Sequence, residues 1–538
     1  MNYQNANNIE YDAIIVGAGF SGLYQLICLR EQLNLNCLVL ETGGDVGGTW
    51  YWNRYPGARC DTESHAYSYY FSDELLEEWT WTERYPGHAE IRSYMNFVAD
   101  KFDLKKNILF HEKVTSATFD HNTKHWNIIT NNNYNFRSKF LITAVGCLSN
   151  TNIPNIKGLK DFDGEYYHTG EWPHEGVSFA NKKVGQIGTG STGIQAVPVI
   201  AHEAKHLTVF QRTANYSIPA RNKPLTEEFK KHVKENLDSY RKLVKKTPNG
   251  HPFEISERLV SDVDEKEMNS IYEKAWEKGG LQFRATFNDL TTNLSANNTA
   301  SDFIKNKINQ IVRNKKFAKI LSDIDHPYAC KRPPIDSDYF ETYNRENIDL
   351  VDLKSDPIEC IDKNGIKTKS NYYELDTIVF ATGYDAMTGP LLKMNITGKN
   401  NVKLQEAWQE GPKTFLGLQI PGFPNLFTVT GPGSPSVLTN MPMAIEQHVE
   451  WIRDCIQFII ENNYSTIEPS EEKSKKWGEE VNTVANKTLL PTVKHSWYLG
   501  ANIPGKPRVF MPYAGGLPKY AKICEEIKQE NYKSFILS

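Results

Sequence analysis

The 538-residue sequence predicts an α/β fold of two Rossmann-like dinucleotide-binding domains with a charged segment of helical pattern. Three observations carry this expectation. Gly17-Ala18-Gly19-Phe20-Ser21-Gly22 follows a short apolar run at residues 11–16 and opens an apolar helical pattern. Gly188-Thr189-Gly190-Ser191-Thr192-Gly193 repeats the arrangement after residues 183–187. Each copy leads to a further short apolar strand, at 37–40 and 207–210. It is this strand–loop–helix–strand context that gives a GxGxxG string its physical meaning.

The elements follow in chain order. In the first loop Gly17 permits a tight turn, Gly19 lets main-chain N–H groups approach a pyrophosphate, and Gly22 lets the helix pack on the strand. The helix N-terminus then turns its positive dipole end toward the phosphates. A hairpin is expected from residues 126–130, through 131–133, back to Ile142-Thr143-Ala144-Val145-Gly146. In the second copy Asn364-Gly365 reads as a two-residue hairpin turn, leading to Ile378-Val379-Phe380-Ala381-Thr382-Gly383. Residues 221–326 are charged and helical in pattern. Phe229, Val233, Leu237, Tyr240 and Val244 mark one face of a helix that ends at Lys245-Lys246, before Pro248 and Gly250. Its lysines read as a solvated face. From about 385 the chain returns to mixed apolar and Gly/Pro-rich sequence.

A net charge of -4 gives no steering toward nucleic acid or anionic membrane. The eight cysteines are scattered, with no CxxC pair and no metal-like spacing. That argues for a reducing compartment and against thiol–disulfide redox chemistry. The polar start MNYQNANNIEYD is expected not to be a signal peptide. No apolar run approaches the ~20 residues that span a bilayer. A cytoplasmic protein without nucleic-acid, membrane or metal partners is expected. Its oligomeric state is left open, a monomer being compatible with everything above.

The residues ending each second strand say which nucleotide goes where. Glu41, 19 residues beyond Gly22, can accept hydrogen bonds from a ribose diol and repels a 2′-phosphate, which suits FAD or NAD. The doublets Gly43-Gly44 and Gly47-Gly48 look like flavoenzyme sequence. In the second copy the same place reads Gln211-Arg212-Thr213, with no acid. Arginine pairs bidentately with phosphate and threonine donates to it, so NADPH is expected over NADH. The assignment is FAD first, NADPH second, and a flavin reduced by a nicotinamide is the usual reason for two such loops in one chain.

Three further strings stand in order between and around the loops. Phe162-x-Gly164-x-x-x-His168-x-x-x-Trp172-Pro173 lies in what reads as the linker entering the second nucleotide domain. Gly47-Gly48-x-Trp50-x-x-x-x-Tyr55-Pro56-Gly57-x-x-x-Asp61 follows the first loop, and Lys331-Arg332 follows the helical segment. Together they resemble the Baeyer–Villiger monooxygenases over essentially the whole chain. The resemblance implies a discontinuous FAD domain at 1–150 and 385–538, an NADP domain at 151–220 and 327–384, and a helical insertion at 221–326. It brings Gly48, Thr49, Trp50 and Asp61 to the flavin, Lys331 to the 2′-phosphate with Arg212, and Trp497 to a loop that closes over NADP. It makes His168 an inter-domain coupling residue, and Leu148, Ser436, Val437, Leu438 and Met441 part of the substrate pocket.

The chemistry implied needs a fixed cation beside the flavin. Reduced flavin and dioxygen give a C4a-peroxide, whose anion attacks a ketone to form a tetrahedral (Criegee) adduct that collapses to an ester or lactone. Arginine suits the role because it stays protonated at any working pH. By resemblance that residue is Arg332, with Asp61 positioning it. A flavin enzyme oxidising nitrogen or sulfur usually lacks Trp172-Pro173 and the Asp61/Arg332 pair, although sulfoxidation is compatible as a side activity. A nucleotide-binding sensor would need no Arg332. The sequence departs from the family's usual pattern at Ala144-Val145-Gly146, at Cys147 and at His88-Ala89-Glu90.

Overall fold

The computed structural model describes residues 7–538; residues 1–6, part of the start expected not to be a signal peptide, lie outside the described residues. Two separate sheets organise the chain. The first runs Ile396–Thr397, Val114–Asp120, His125–Thr130, Asn135–Thr143, Asn7–Val16, Cys37–Leu40, Ile108–Leu109. Its strand Asn135–Thr143 divides one edge between two partners. The first half pairs antiparallel with His125–Thr130, and the second half pairs parallel with Leu426–Thr428, Leu141 lying opposite Leu426. Sequence from beyond residue 385 therefore completes the first sheet. Cys37–Leu40 is buried throughout, as a parallel strand covered on both faces must be.

The second sheet is wholly parallel, in the order Ile348–Asp352, His206–Gln211, Lys183–Ile187, Thr377–Phe380, Glu165–His168. The motif at 162–173 is thus not a linker: four of its residues form an edge strand paired with Thr377–Phe380. An edge strand with one side toward solvent carries polar residues, which is why Glu165-Tyr166-Tyr167-His168 did not read as a strand. The second hairpin also differs by one residue. Asp362 pairs with Gly365, so the turn is Lys363-Asn364. The Asp362 side chain accepts N–H bonds from Asn364 and Gly365, and a Cβ on Gly365 would lie 1.9 Å from the Tyr373 carbonyl oxygen.

Helices fill residues 221–326, but the expected single lysine-rich helix is two, Glu227–Glu235 and Leu237–Lys246. Asn236 breaks it (φ -122°, ψ 24°) and its amide donates back to the His232 carbonyl at 2.8 Å. Asparagine competes for main-chain groups in this way and so favours helix ends. Three later helices, Glu265–Lys278, Leu294–Ile311 and Lys315–Ser322, start at Asp264, Asn293 and Asn314, whose side chains accept first-turn N–H groups. Tyr272, Phe283 and Phe303 from this region, with Tyr328 just beyond it, share one core with Ile194, Val197 and Val209 of the second nucleotide fold. Among the described residues no helix is long and apolar enough to cross a membrane.

The two glycine loops are built alike. A Cβ on Gly17 would lie 2.6 Å from the Ala144 carbonyl oxygen, and one on Gly188 would lie 2.4 Å from that of Ala381. A Cβ on Gly22 would meet the Gly17 oxygen at 1.8 Å, and one on Gly193 the Gly188 oxygen at 2.3 Å. Helix and strand are therefore in contact through the missing side chain. Overpacking such a contact costs about 1–3 kcal/mol. Gly22→Ala and Gly193→Ala are each expected to lower the unfolding midpoint by several degrees in a thermal scan; an unchanged midpoint in both would contradict this packing.

Candidate active site

A cavity of about 1060 Å³ lies outside the carboxyl ends of strands from both sheets. Its wall takes Gly17, Gly19, Phe20, Ser21 and Leu40-Glu41-Thr42 from the first fold, and Gly188 to Thr192, Phe210 and Arg212 from the second. This is the edge at which α/β sheets bind nucleotides. The volume lies just above the ~300–1,000 Å³ usual for a small-molecule site.

Both loops fit a dinucleotide phosphate. The helices Phe20–Ile27 and Ser191–Glu203 have glycine N-caps, Gly19 and Gly190, with no side-chain capping bond, so their first-turn N–H groups are left for an anion. A Cβ at Gly190 would meet nothing within 4 Å, whereas Gly19 abuts Gly48 main chain, its Cβ position 3.3 Å from the Gly48 Cα. Glu41 is buried and accepts N–H bonds from Ala18 and Gly43, each at 2.6 Å. Burial pushes its carboxyl above the ordinary value against the pull of those bonds.

At the second loop Arg212, Thr213 and Lys331 all reach the wall. Arg212 is exposed and makes no hydrogen bond or ion pair among the described residues. Lys331 is held below its usual value first by burial, with the Arg212 charge adding to it against Asp325. Two cations brought this close on one wall suit a phosphate. Thr189 donates to the Thr213 carbonyl at 3.0 Å, tying this strand end to the loop.

Arg332 and Asp61 meet. The guanidinium donates through Nε (2.6 Å) and Nη2 (2.5 Å) to the two carboxylate oxygens, and through Nη1 to the Val437 carbonyl at 3.2 Å. Both residues line the cavity, and their side chains are 29 % and 14 % exposed. Burial alone would raise the Asp61 carboxyl, but Arg332 outweighs it and holds the group below its ordinary value. Burial likewise opposes the Arg332 cation; Asp61 outweighs that too and holds it above its ordinary range. All three bonds use one edge and one corner of the fork, fixing its plane.

The other expected residues divide. Phe20, Gly48, Thr49, Trp50, Leu148, Val437, Met441 and Trp497 reach the wall, whereas Gly22 and Gly193 act behind it as packing positions. Ser436 and Leu438 do not reach it. Ser436 is fully buried and donates to the Thr430 carbonyl, and Leu438, partly buried, packs against the core with its carbonyl bound by Asn249. Phe162 and Trp172 are buried in the second fold, His168 is 3 % exposed with Nδ1 accepting from Gly170 N–H, and a Cβ on Gly164 would lie 2.5 Å from the Asp376 carbonyl oxygen. Of that motif the interior residues Gly170 and Glu171 line the cavity instead. Burial pushes the Cys147 thiol up to about 11, so this departure from the usual pattern places a neutral thiol in the wall.

Sequence reasoning missed several contacts. Tyr55 donates to Gln195 on the second nucleotide helix at 2.7 Å, and a Cβ on Gly57 would lie 2.4 Å from the Gln195 carbonyl oxygen. The Tyr-Pro-Gly string was legible, but not its partner. Arg284 and His251 arrive from the helical region; burial, then the Arg284 and Arg332 charges, hold His251 far below its usual range, leaving a neutral imidazole. No sequence signal marked either.

A family described as flavin-binding monooxygenase-like matches residues 11–224. The chain is 42 % identical to a cyclohexanone 1,2-monooxygenase of Acinetobacter sp., across 98 % of this chain and 97 % of that one. It is 43 % identical to a Baeyer–Villiger monooxygenase of Pseudooceanicola batsensis, across 100 % and 98 %. A solved steroid monooxygenase bound to NADP superposes with a TM-score of 0.94 at 45 % identity, covering 98 % of this chain and 99 % of that one. The chain belongs to the Baeyer–Villiger monooxygenase family.

The charge pair has a pH signature. Asp61 is depressed on folding, so its stabilisation is present above the ordinary carboxylate range and is lost as pH falls through the folded value. Arg332 is raised, so its share is present at every pH below the unfolded guanidinium range. The difference in unfolding midpoint between wild type and Asp61→Asn is therefore expected to be constant from about pH 6 to 9 and to shrink below about pH 4. A steady drift across the neutral range would contradict the pair as described.

Proposed function

We propose that the protein is an NADPH- and dioxygen-dependent FAD monooxygenase that inserts one oxygen atom beside a ketone carbonyl, giving esters from open-chain ketones and lactones from cyclic ones. The observation that carries the reading is the Asp61-held guanidinium of Arg332 on the wall of the cavity that both glycine loops share. When bound, FAD and NADPH supply the hydride and the activated oxygen.

The chain's own residues do the rest. Main-chain N–H groups at Phe20 and Ser191 hold the two pyrophosphates, with Glu41 at the FAD ribose. Arg212, Thr213 and Lys331 hold the phosphate that distinguishes NADPH from NADH, and Trp497 covers that nucleotide. Arg332 faces the substrate and stabilises negative charge as it develops on the carbonyl oxygen, in a site already organised for that charge. Asp61 keeps the fork aimed and takes no proton. Leu148, Val437, Met441 and Ile445 offer the ketone an apolar wall and exclude water. Thioethers enter the same space, so sulfoxidation is a side activity. One chain carries both loops and the Arg332–Asp61 pair, so a monomer is a sufficient catalytic unit. Its eight free cysteines suit a reducing, cytoplasmic setting.

Arg332→Ala is expected to cut ester or lactone formation on the order of 100- to 1000-fold while anaerobic flavin reduction by NADPH continues. The assay supplies phenylacetone, cyclohexanone, a thioether and a tertiary amine in air and identifies the products. Oxidation of the thioether or amine alone, indifferent to Arg332, would replace this reading with a heteroatom monooxygenase.

A further inference from the structure

Tyr384, just beyond the strand Thr377–Phe380, lines the cavity and touches residues from both nucleotide folds and from the 497–506 loop. Its hydroxyl donates to Asn53 Oδ1 at 2.5 Å. Asn53 caps the helix Thr49–Trp52 of the first fold, and its amide nitrogen donates to the Thr49 carbonyl at 3.0 Å. That bond fixes which end of the amide faces Tyr384: an acceptor, which the Tyr384 hydroxyl meets as donor. The Tyr384 ring stands edge-on to His168, with centroids 6.0 Å apart. It also explains Gly170, where a Cβ would lie 2.6 Å from the Tyr384 hydroxyl.

The main chain of the same segment holds the Trp497 loop. The Tyr384 carbonyl accepts from Asn502 at 2.7 Å. Lys506 donates to Asp385 at 2.6 Å and to the Ala386 carbonyl at 2.7 Å. Residues 384–386 therefore join the nicotinamide fold's strand end, the 162–173 motif, the helix at 49–52 and the 497–506 loop at one point.

The geometry points to Tyr384 as a positioning residue: its hydroxyl bond to Asn53 sets how the second nucleotide edge meets the Thr49–Trp52 wall of the first, and thereby how a nicotinamide is presented to a flavin. The inference rests on the two-nucleotide reading above, but not on the identity of the oxygenated substrate. Asn53 accepts this bond with no other donor to its Oδ1 among the described residues, so losing the hydroxyl leaves an acceptor unmet at the junction.

Tyr384→Phe removes the hydroxyl and keeps the ring and the carbonyl, so the Asn502 bond survives. In the FAD-loaded protein, the rate of anaerobic flavin reduction by NADPH is expected to fall about 3- to 10-fold, the span of one net hydrogen bond. The Kd for NADPH stays within about twofold, because the hydroxyl is not a phosphate contact. Amide hydrogen exchange at residues 49–53, read without turnover, speeds up. Asn53→Ala gives losses of similar size, and the double variant is no worse than either single one. Wild-type reduction and exchange rates in Tyr384→Phe, or additive losses in the double variant, would overturn the proposal. Flavin reduction needs no ketone, so a failure to oxygenate ketones would count against the proposed function alone.

Discussion

A guanidinium that must remain charged beside an apolar wall needs a carboxylate of its own, and Asp61 is that carboxylate for Arg332. The pair could not exist in either nucleotide fold by itself. Asp61 follows the first loop's Tyr-Pro-Gly string, whereas Arg332 lies just before the short strand Ile335–Asp336, which pairs with Ile218–Pro219. Folding must therefore bring together residues 271 positions apart before the cation has its partner. Removing one member of such a pair strands the other, so the position constrains both halves of the molecule.

The surrounding architecture serves the same end. Two sheets present their carboxyl edges to one cavity, and close main-chain approaches at Gly17, Gly22, Gly188 and Gly193 keep each loop tight against its strand. Tyr55–Gln195 and Tyr384–Asn53 then bind one edge to the other, each through a tyrosine hydroxyl donating to an amide oxygen. Both bonds cross between the two folds at the wall of the cavity they share.

What the sequence disclosed was what local patterns encode. The two loops, the strands 37–40 and 183–187 and the choice between Glu41 and Arg212 are local features, and each could be read from a few neighbouring residues. The pairing of Arg332 with Asp61 could not, because nothing in either neighbourhood names the other; it came only by family likeness. Ser436 and Leu438 sit off the cavity wall for a related reason. A Gly/Pro-rich segment advertises a loop near the site, but which side chain turns inward depends on bonds such as Ser436 to Thr430. Likewise Asn236 splits a helix whose apolar spacing runs straight through it, and Glu165–His168 became a strand only because Thr377–Phe380 was there to pair with.

If the Asp61-fixed fork rather than positive charge alone governs oxygen insertion, Arg332→Lys is the sharpest probe, since lysine keeps the charge but cannot hold both carboxylate oxygens in one plane. The measurement is ester or lactone formed per NADPH consumed, with hydrogen peroxide counted as the remainder. The account predicts that NADPH is still oxidised but peroxide becomes the main product. A lysine variant with the wild-type product yield would show that any cation serves there, and the central claim would fall.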